Sequence, residues 1–225
     1  MTRIDTLNEI MDDRYSCRAF RPDPVPDAVL ERIVATARLV PSWCNAQPWQ
    51  VSLTRGAGTE RLRTKLMETA AAGTPPAPDL EWPASYTGAY AERRRTCGFQ
   101  LYDAAGIEKS DRKARRAQML RNYAFFDAPH VAIVHSPGEL GAYGAMDTGG
   151  FVTAFTLAAT ALGVATIPQA AIAGYAPLLK EHLAIDEDRL ILCAISLGYA
   201  DETHPANRFR TARADPANII AWQDT

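Results

Sequence analysis

The 225-residue sequence has few cysteines, no large excess of one charge and no long apolar run. Its formal net charge of -2 gives no long-range attraction for nucleic acid or for an anionic membrane surface, so neither partner is expected. The start, MTRIDTLNEIMDDR, has no apolar core of a signal peptide. No stretch approaches the roughly 18 apolar residues of a membrane-spanning helix. The sequence therefore predicts a soluble protein.

The cysteines and histidines form no recognisable disulfide or metal pattern. Cys17, Cys44, Cys97 and Cys193 are scattered without a C-x-x-C pair, which is typical of reduced thiols in a cytoplasmic protein. The four histidines also lack the spacing of zinc ligands. We therefore predict a cytoplasmic location and no metal site.

Glycine motifs that bind phosphate are missing as well. Neither G-x-G-x-x-G after a strand nor G-x-x-x-x-G-K-[ST] occurs in the chain. If a phosphate-bearing cofactor binds, arginine side chains must therefore hold it. The content of 47% hydrophobic and 22% charged residues is ordinary for a globular protein and excludes no further class of function.

Apolar periodicity predicts a chain in which helices and strands alternate. The predicted helices cover residues 4–13, 27–37, 59–72, 147–162 and 175–183. The predicted strands cover residues 49–54, 131–135, 164–168 and 190–200. Asp147 is predicted to cap the helix that Gly163 ends. Residues 73–126 are rich first in proline and then in basic residues, which indicates an insertion or lid within a single domain spanning residues 1–225.

Three segments carry residues suited to binding a cofactor. In the first, Arg14 and Arg18 can fork onto one phosphate with charge-assisted bonds of about 1.5–3 kcal/mol each, although a solvated basic turn fits equally well. In the second, PSWCNAQPW at 41–49, a serine and two amides suit the edge of a flat heterocycle, or simply form a turn between prolines. In the third, NRFRTAR at 207–213, the arginines can close on the same phosphate or belong to a polar tail.

Together, the motifs R-x-S-x-R, PS-x-x-N-x-QPW and LGYAD…NRFRTAR resemble the FMN-dependent nitroreductase family, in the same order and over essentially the whole chain. The stretch LAATALGVATIPQAAIAGY is similar to the family's segment beneath the flavin ring. The variants RTAR and IPQAA, with the central insertion, most resemble its 4-nitrobenzoate-reductase-like branch. The resemblance implies an α+β nitroreductase-like fold, in which helices flank a central mixed β-sheet, and a domain-entwined homodimer.

The resemblance also implies roles for particular residues. The loop that holds the FMN phosphate and ribityl chain matches Arg14, Tyr15, Ser16 and Arg18. The C-terminal arginines that return to the phosphate match Arg210 and Arg213, and either can make the closer contact. The loop that reaches the flavin from the second subunit matches Pro41, Ser42, Trp43 and Asn45, with Gln47 as a neighbour. The segment whose backbone amides lie near flavin N5 matches Pro168, Gln169, Ala170 and Ala171.

The implied function is the reduction of nitroaromatic or related small organic acceptors by a ping-pong mechanism, with NADPH or NADH as electron donor. A flavin carries this chemistry itself. No Ser-His-Asp, Cys-His or paired-carboxylate arrangement is apparent in the sequence, so no catalytic residue is predicted. The same fold also supports flavoenzymes that reduce activated alkenes or oxidise a biosynthetic intermediate. A flavin-binding protein without reductase turnover is a further alternative.

Two features of the sequence lie outside the family pattern: a tryptophan in the second motif and a basic stretch in the central insertion. Trp43 stands where most family members have a small residue, so its indole narrows the substrate pocket, stacks on an aromatic substrate or turns into the subunit interface. Between residues 92 and 121 there are nine lysines and arginines against four acidic residues. This basic stretch either attracts an anionic acceptor or the NADPH phosphate, or forms a solvated helical face.

Overall fold

The computed structural model describes residues 2–223, within which eight α-helices and four β-strands form. The helices are α1 (Arg3–Asp13), α2 (Asp27–Ala37), α3 (Ala57–Ala71), α4 (Gly88–Ala104), α5 (Arg112–Leu120), α6 (Gly141–Ala161), α7 (Ala170–Ala173) and α8 (Ala176–Leu183). The strands are β1 (Gln50–Leu53), β2 (His130–Pro137), β3 (Ala165–Gln169) and β4 (Arg189–Gly198). Every predicted strand and helix has a counterpart among them, which confirms the α+β class.

The four strands form one sheet in the order β1-β2-β4-β3. The expectation of a mixed sheet needs a correction, because every ladder between the described strands is antiparallel. Among the described residues, the one parallel pairing is an isolated bridge between Ser16 and Thr166. The strands β2 and β3 do run parallel to each other, but β4 lies between them, so no parallel ladder can form.

Helices cover both faces of the sheet, because alternate residues of each strand point to opposite sides. On one face, Ala132 and Val134 of β2 pack with α2 and α6. On the other face, Val131 and Ile133 pack with α3 and α8. All four side chains are fully buried. The central strands are therefore held from both sides and give the loops at their ends a rigid base.

Helix α6 begins earlier than the sequence predicts. Asp147 is not its N-cap: the helix starts at Gly141, and Asp147 lies inside it. Gly141 has a φ of +50°, which lets the chain turn directly from a short 3-10 turn at 138–140 into the helix. The Asp147 carboxylate instead accepts a hydrogen bond from the Trp43 backbone N–H at 2.9 Å. This bond ties the loop at 41–47 to α6.

The segment 73–126 contains α4 and α5 and has no strand. Neither helix has a buried residue. Two cations lie over aromatic rings of α4: Lys109, in the loop before α5, has its Nζ 4.4 Å from the Phe99 ring centre, and the guanidinium of Arg115 of α5 is 5.2 Å from that of Tyr102. That this segment is an insertion or lid within a single domain stays a prediction.

Candidate functional site

The first arginine segment lies beside the edge strand β3. Ser16 forms the parallel bridge with Thr166, and the Cys17 N–H donates to the Thr166 carbonyl at 3.0 Å. The Cys17 side chain is fully buried, and this burial raises the pKa of its thiol to about 11. Cys17 therefore acts as an apolar anchor, while its neighbours Ser16 and Arg18 line an open cleft.

A buried amide fastens the C-terminal arginine segment to this loop. Asn207 is 5% exposed, and its Oδ1 accepts a hydrogen bond from the Arg18 N–H at 2.7 Å. Its Nδ2 donates to the carbonyls of Ala19 at 2.9 Å and Asp201 at 2.8 Å. Asn207 thus satisfies three backbone groups and brings residues 208–213 against residues 14–18. The sequence indicates this role only by the position of an amide directly before the arginines.

The two segments form a cleft of about 700 Å³ that contains all four predicted phosphate-binding arginines. Burial, together with the positive charges of Arg213 and Arg210, lowers the pKa of the Arg14 guanidinium. Burial also lowers the pKa of Arg18. Within residues 2–223, none of the four forms an ion pair with a carboxylate. Asp12 is the one acidic residue among those that line the cleft, so four arginines against one carboxylate leave a net positive charge that a bound anion would neutralise.

Aromatic rings support two of these guanidinium groups. The Arg210 guanidinium lies 3.8 Å from the centre of the Tyr15 ring, and that of Arg18 lies 5.3 Å from the centre of the Phe209 ring. Such stacking fixes the plane of a guanidinium while its N–H groups remain available. Tyr15 therefore contributes to the cleft through its ring.

The arginine cleft continues into a second cavity of about 330 Å³, which we call the slot. Ser16 and Arg18 line both cavities. One wall of the slot consists of residues 167–171, at the end of β3 and the start of α7. The opposite wall comes from the segment of α4 and α5, and we call it the lid wall. It consists of Leu101, Tyr102, Gln118, Met119 and Asn122.

The turn from β3 into α7 contains the residues predicted to lie near flavin N5. The Gln169 side chain is only 3% exposed and is fully engaged: its Nε2 donates to the Asn122 carbonyl at 2.9 Å, and its Oε1 accepts from the Ser196 hydroxyl. Any contact of Gln169 with a ligand therefore has to come from its backbone. Ala170 and Ala171, at the start of the four-residue helix α7, also line the slot.

The loop at 41–47 does not reach either cavity within one chain. Cys44, Asn45 and Gln47 adopt left-handed φ values of 48°, 57° and 50°, and the Gln47 N–H donates to the Ser42 hydroxyl at 2.9 Å. The Trp43 indole is 55% exposed and meets the Tyr143 ring edge-on at a centroid distance of 4.2 Å. Trp43, Cys44, Asn45 and Gln47 are all exposed in the single chain.

A comparison with known families covers most of these segments, but not the C-terminal arginine segment at 207–213. The sequence profile of the Nitroreductase family matches residues 11–199. The chain belongs to the Nitroreductase family. The match begins just before the first arginine segment and ends at Tyr199, beyond β4, so it covers the sheet, the slot and the loop at 41–47.

Individual relatives of this nitroreductase-family chain match it over almost its full length. Nitroreductase NfnB of Mycolicibacterium smegmatis is 35% identical over 206 residues, covering 91% of this chain and 87% of the relative. The 4-nitrobenzoate reductase of Pseudomonas putida is 32% identical over 209 residues, covering 93% and 92%. The crystal structure of the FMN-dependent nitroreductase NfnB from Mycobacterium smegmatis in complex with NADPH superposes with a TM-score of 0.92 and 32% identity, covering 98% of this chain and 99% of that one. The predicted nitroreductase-like fold is therefore confirmed.

Sequence reasoning did not identify the lid wall. Cys97 of α4 lines the arginine cleft, and Tyr102 and Gln118 line the slot. In the sequence, this stretch is distinguished by its basic residues, whereas the residues that line the cavities are mainly apolar or neutral. Only the packing of α4 and α5 over the turn at 167–171 reveals them.

Two further findings bear on other kinds of site. Within residues 2–223, no three His, Cys, Asp or Glu side chains are grouped so that they could ligate a metal ion. No helix in that part of the chain is both long and apolar enough to cross a bilayer.

Proposed function

We propose that this protein is an FMN-dependent oxidoreductase that uses NADPH or NADH to reduce nitroaromatic or related small organic acceptors. The observation that carries the proposal is the cleft with four arginines and no carboxylate partner among the described residues. Relatives of similar length that are named for the reduction of nitro compounds support it.

The cleft and the slot fit FMN in charge and in shape. Arg14, Arg18, Arg210 and Arg213 would hold the phosphate through bidentate, charge-assisted hydrogen bonds, and Ser16 would hold the ribityl chain where the two cavities join. Residues 168–171 would contact the ring through their backbone. When bound, FMN supplies the redox chemistry by taking a hydride from the nicotinamide and passing it to the acceptor.

The residues of this chain would bind and orient the reactants. The slot is lined by Leu101, Met119, Phe126 and Ile167, which exclude water from a flat molecule held there. Donor and acceptor would occupy this slot in turn, so we expect ping-pong kinetics. The apolar side chains would provide the contact area for both.

We further propose that the active form is a homodimer. Near the C-terminus, Ile219, Ile220 and Trp222 are 75%, 51% and 80% exposed, and a single chain leaves them in water. A second copy that covers this tail would also let the loop with Pro41, Ser42, Trp43, Asn45 and Gln47 reach the partner's cofactor. Because NAD(P)H is the proposed electron donor, we place the protein in the cytoplasm.

Replacement of Arg14 tests the assignment of the cofactor. Arg14→Ala should weaken FMN binding by about tenfold to a hundredfold, since one charge-assisted interaction contributes about 1.5–3 kcal/mol. Arg61→Ala, on the exposed face of α3, is the matched control and should bind FMN like the wild type. Fluorescence titration of the apoprotein with FMN measures both. Equal affinities of Arg14→Ala and the wild type would refute the phosphate site.

Anaerobic titration tests the activity. The absorbance of the FMN-loaded protein near 450 nm should bleach with a stoichiometric amount of NADPH or NADH and recover when a nitroaromatic acceptor is added. A yellow protein that neither nicotinamide reduces would contradict the proposed function.

The dimer is tested by sedimentation. The full chain should sediment as a dimer, and a chain truncated after Arg213 should dissociate more readily and bind less FMN, because it lacks Ile219, Ile220 and Trp222. Full FMN content and full activity in a monomer would contradict the shared site.

A further inference from the structure

A hydrogen-bonded bridge joins the two walls of the slot. The Gln169 side-chain Nε2 donates to the Asn122 carbonyl at 2.9 Å and to the Asn122 Oδ1 at 3.3 Å. Gln169 belongs to the wall at 167–171, and Asn122 belongs to the lid wall. Among the described residues, no other hydrogen bond connects these two walls. The separation of the walls at this end of the slot therefore depends on one amide group.

The chemistry of the amide fixes which way it points. Both Asn122 oxygens are acceptors, so only the NH2 side of the Gln169 amide can face them. Its Oε1 accepts a hydrogen bond from the hydroxyl of Ser196, a fully buried residue of β4 that pairs with Ile167 of β3. The amide is thus held by the central sheet on one side and holds the lid wall on the other.

Asn122 passes this restraint on to α5. Its backbone N–H and its Nδ2 both donate to the Met119 carbonyl, at 3.2 Å and 2.9 Å, so Asn122 is fastened to the last turn of the helix. Gln118 and Met119 of the lid wall lie in that turn and are held with it. No residue of α5 is buried, and Leu120 packs only partly buried against a core cluster. The helix therefore has little other support at this wall.

We infer that Gln169 is a positioning residue that sets the width of the slot and thereby selects acceptors by their thickness. The inference rests on the proposed function, because it takes the slot to be the place where the acceptor binds. In a cavity of about 330 Å³ that also takes the flavin ring, a thick acceptor has to push the lid wall outward and break the bridge. A flat acceptor leaves the bridge intact. Without the Nε2 donor, the lid wall moves outward at no such cost.

Ligand binding without turnover tests this role. Benzamide and adamantane-1-carboxamide carry the same neutral amide, but the first is flat and the second is a thick cage. Their affinities for the FMN-loaded protein are compared by titration calorimetry. Gln169→Met, which has a similar length but no donor, should shift the ratio of the two affinities by about tenfold toward the cage, as the loss of two hydrogen bonds implies. Ser196→Ala, the matched control, removes the other hydrogen bond of the same amide and should keep the wild-type ratio.

A second variant makes the bridge reversible. Gln169→Glu has a donor only while its carboxyl group is protonated, and burial raises the pKa of such a group. Its ratio should therefore be close to that of the wild type at about pH 6 and shift toward the cage by about pH 9. The ratio of Gln169→Met, which has no group to titrate at this position, should stay the same over this range.

An unchanged ratio in Gln169→Met would overturn the inference, and so would an equal shift in Ser196→Ala, which would reduce the effect to general packing. Hydrogen–deuterium exchange of the α5 amides, measured without acceptor or nicotinamide, should be faster in Gln169→Met than in Ser196→Ala. Equal exchange rates would also count against the bridge. If the exchange rates differ but neither NADPH nor NADH reduces the wild type, the proposed function fails while the bridge stands.

Discussion

Acidification should destabilise the protein through one buried histidine at the end of β2. His135 is 5% exposed; its Nδ1 accepts a hydrogen bond from Arg189 Nε, and its Nε2 lies 3.3 Å from the Ser52 hydroxyl. This arrangement requires a neutral ring with its proton on Nε2. Burial and the positive charge of Arg189 lower the pKa of His135 to about 4. Protonation would remove the acceptor for Arg189 and place a second cation beside it.

The size and pH range of the effect follow from this pKa. A histidine in the unfolded chain titrates near pH ~6.5. Between that value and a folded-state pKa of about 4, the unfolded state binds more protons, so stability falls as the pH falls. Above the unfolded pKa the contribution is fully present. At about pH 5 the loss from His135 alone is about 2 kcal/mol, at ~1.36 kcal/mol per pKa unit.

Urea unfolding at pH 7 and pH 5, at one protein concentration, measures this loss. His135→Gln keeps an acceptor for Arg189 but does not titrate. From pH 7 to pH 5, its free energy of unfolding should therefore fall by about 2 kcal/mol less than that of the wild type. His182→Gln, on an exposed position of α8, should keep the wild-type dependence. His130, whose pKa burial also lowers, contributes equally to all three proteins. A His135→Gln variant with the full wild-type pH dependence would refute this reasoning.

Three further predictions concern single side chains. Trp43→Ser should change the selectivity between flat and bulky nitroaromatics by up to roughly tenfold in stopped-flow oxidation; unchanged selectivity in the fully flavinated variant would place the indole in the subunit interface. Asp79→Asn should lower the free energy of unfolding in urea by about 3 kcal/mol, because Lys180, 2.9 Å away, stays buried without its counter-ion; a loss near zero would contradict this. Gly174→Ala places a methyl carbon 2.6 Å from the Trp82 ring, so the start of the lid segment should shift and tryptic cleavage within α4 and α5 should quicken. Unchanged cleavage would show that Trp82 moves aside at no cost to the lid.

The parts of the fold that were predictable are those with a strong local pattern. The strands β2 and β4 are buried on both faces, so they appear in the sequence as continuous apolar runs. The start of α6 was not predictable, because the glycines in GAYGAMDTGG have low helix propensity and suggest a later beginning. Tertiary packing on β2 and β3 extends the helix over this stretch. That all three ladders are antiparallel was not predictable either, since the order and direction of strands depend on contacts far apart in sequence.

Some parts of the candidate site were also predictable from the sequence, and others were not. The two arginine segments were predicted to come together from the family resemblance, and the structure brings all four arginines into one cleft. That they bind a phosphate stays a prediction. The buried clamp formed by Asn207 was not predictable, because a hydrogen bond to Arg18 across 189 positions has no local signature. Gln118 was missed for the same reason. Its place in the slot depends on how α5 packs over the turn at 167–171.

The absence of buried side chains from α4 and α5 has a consequence for how relatives of this protein diverge. Leu120 of α5 packs against one core cluster of the sheet, but Leu101, Tyr102, Gln118 and Met119 belong to neither cluster. A change at one of these four residues alters the slot and leaves both clusters intact. Such changes should cost little stability, because surface substitutions are usually within about 0.5 kcal/mol of neutral. The shape of the slot can therefore drift, or be redesigned, while the sheet stays under its own separate constraints.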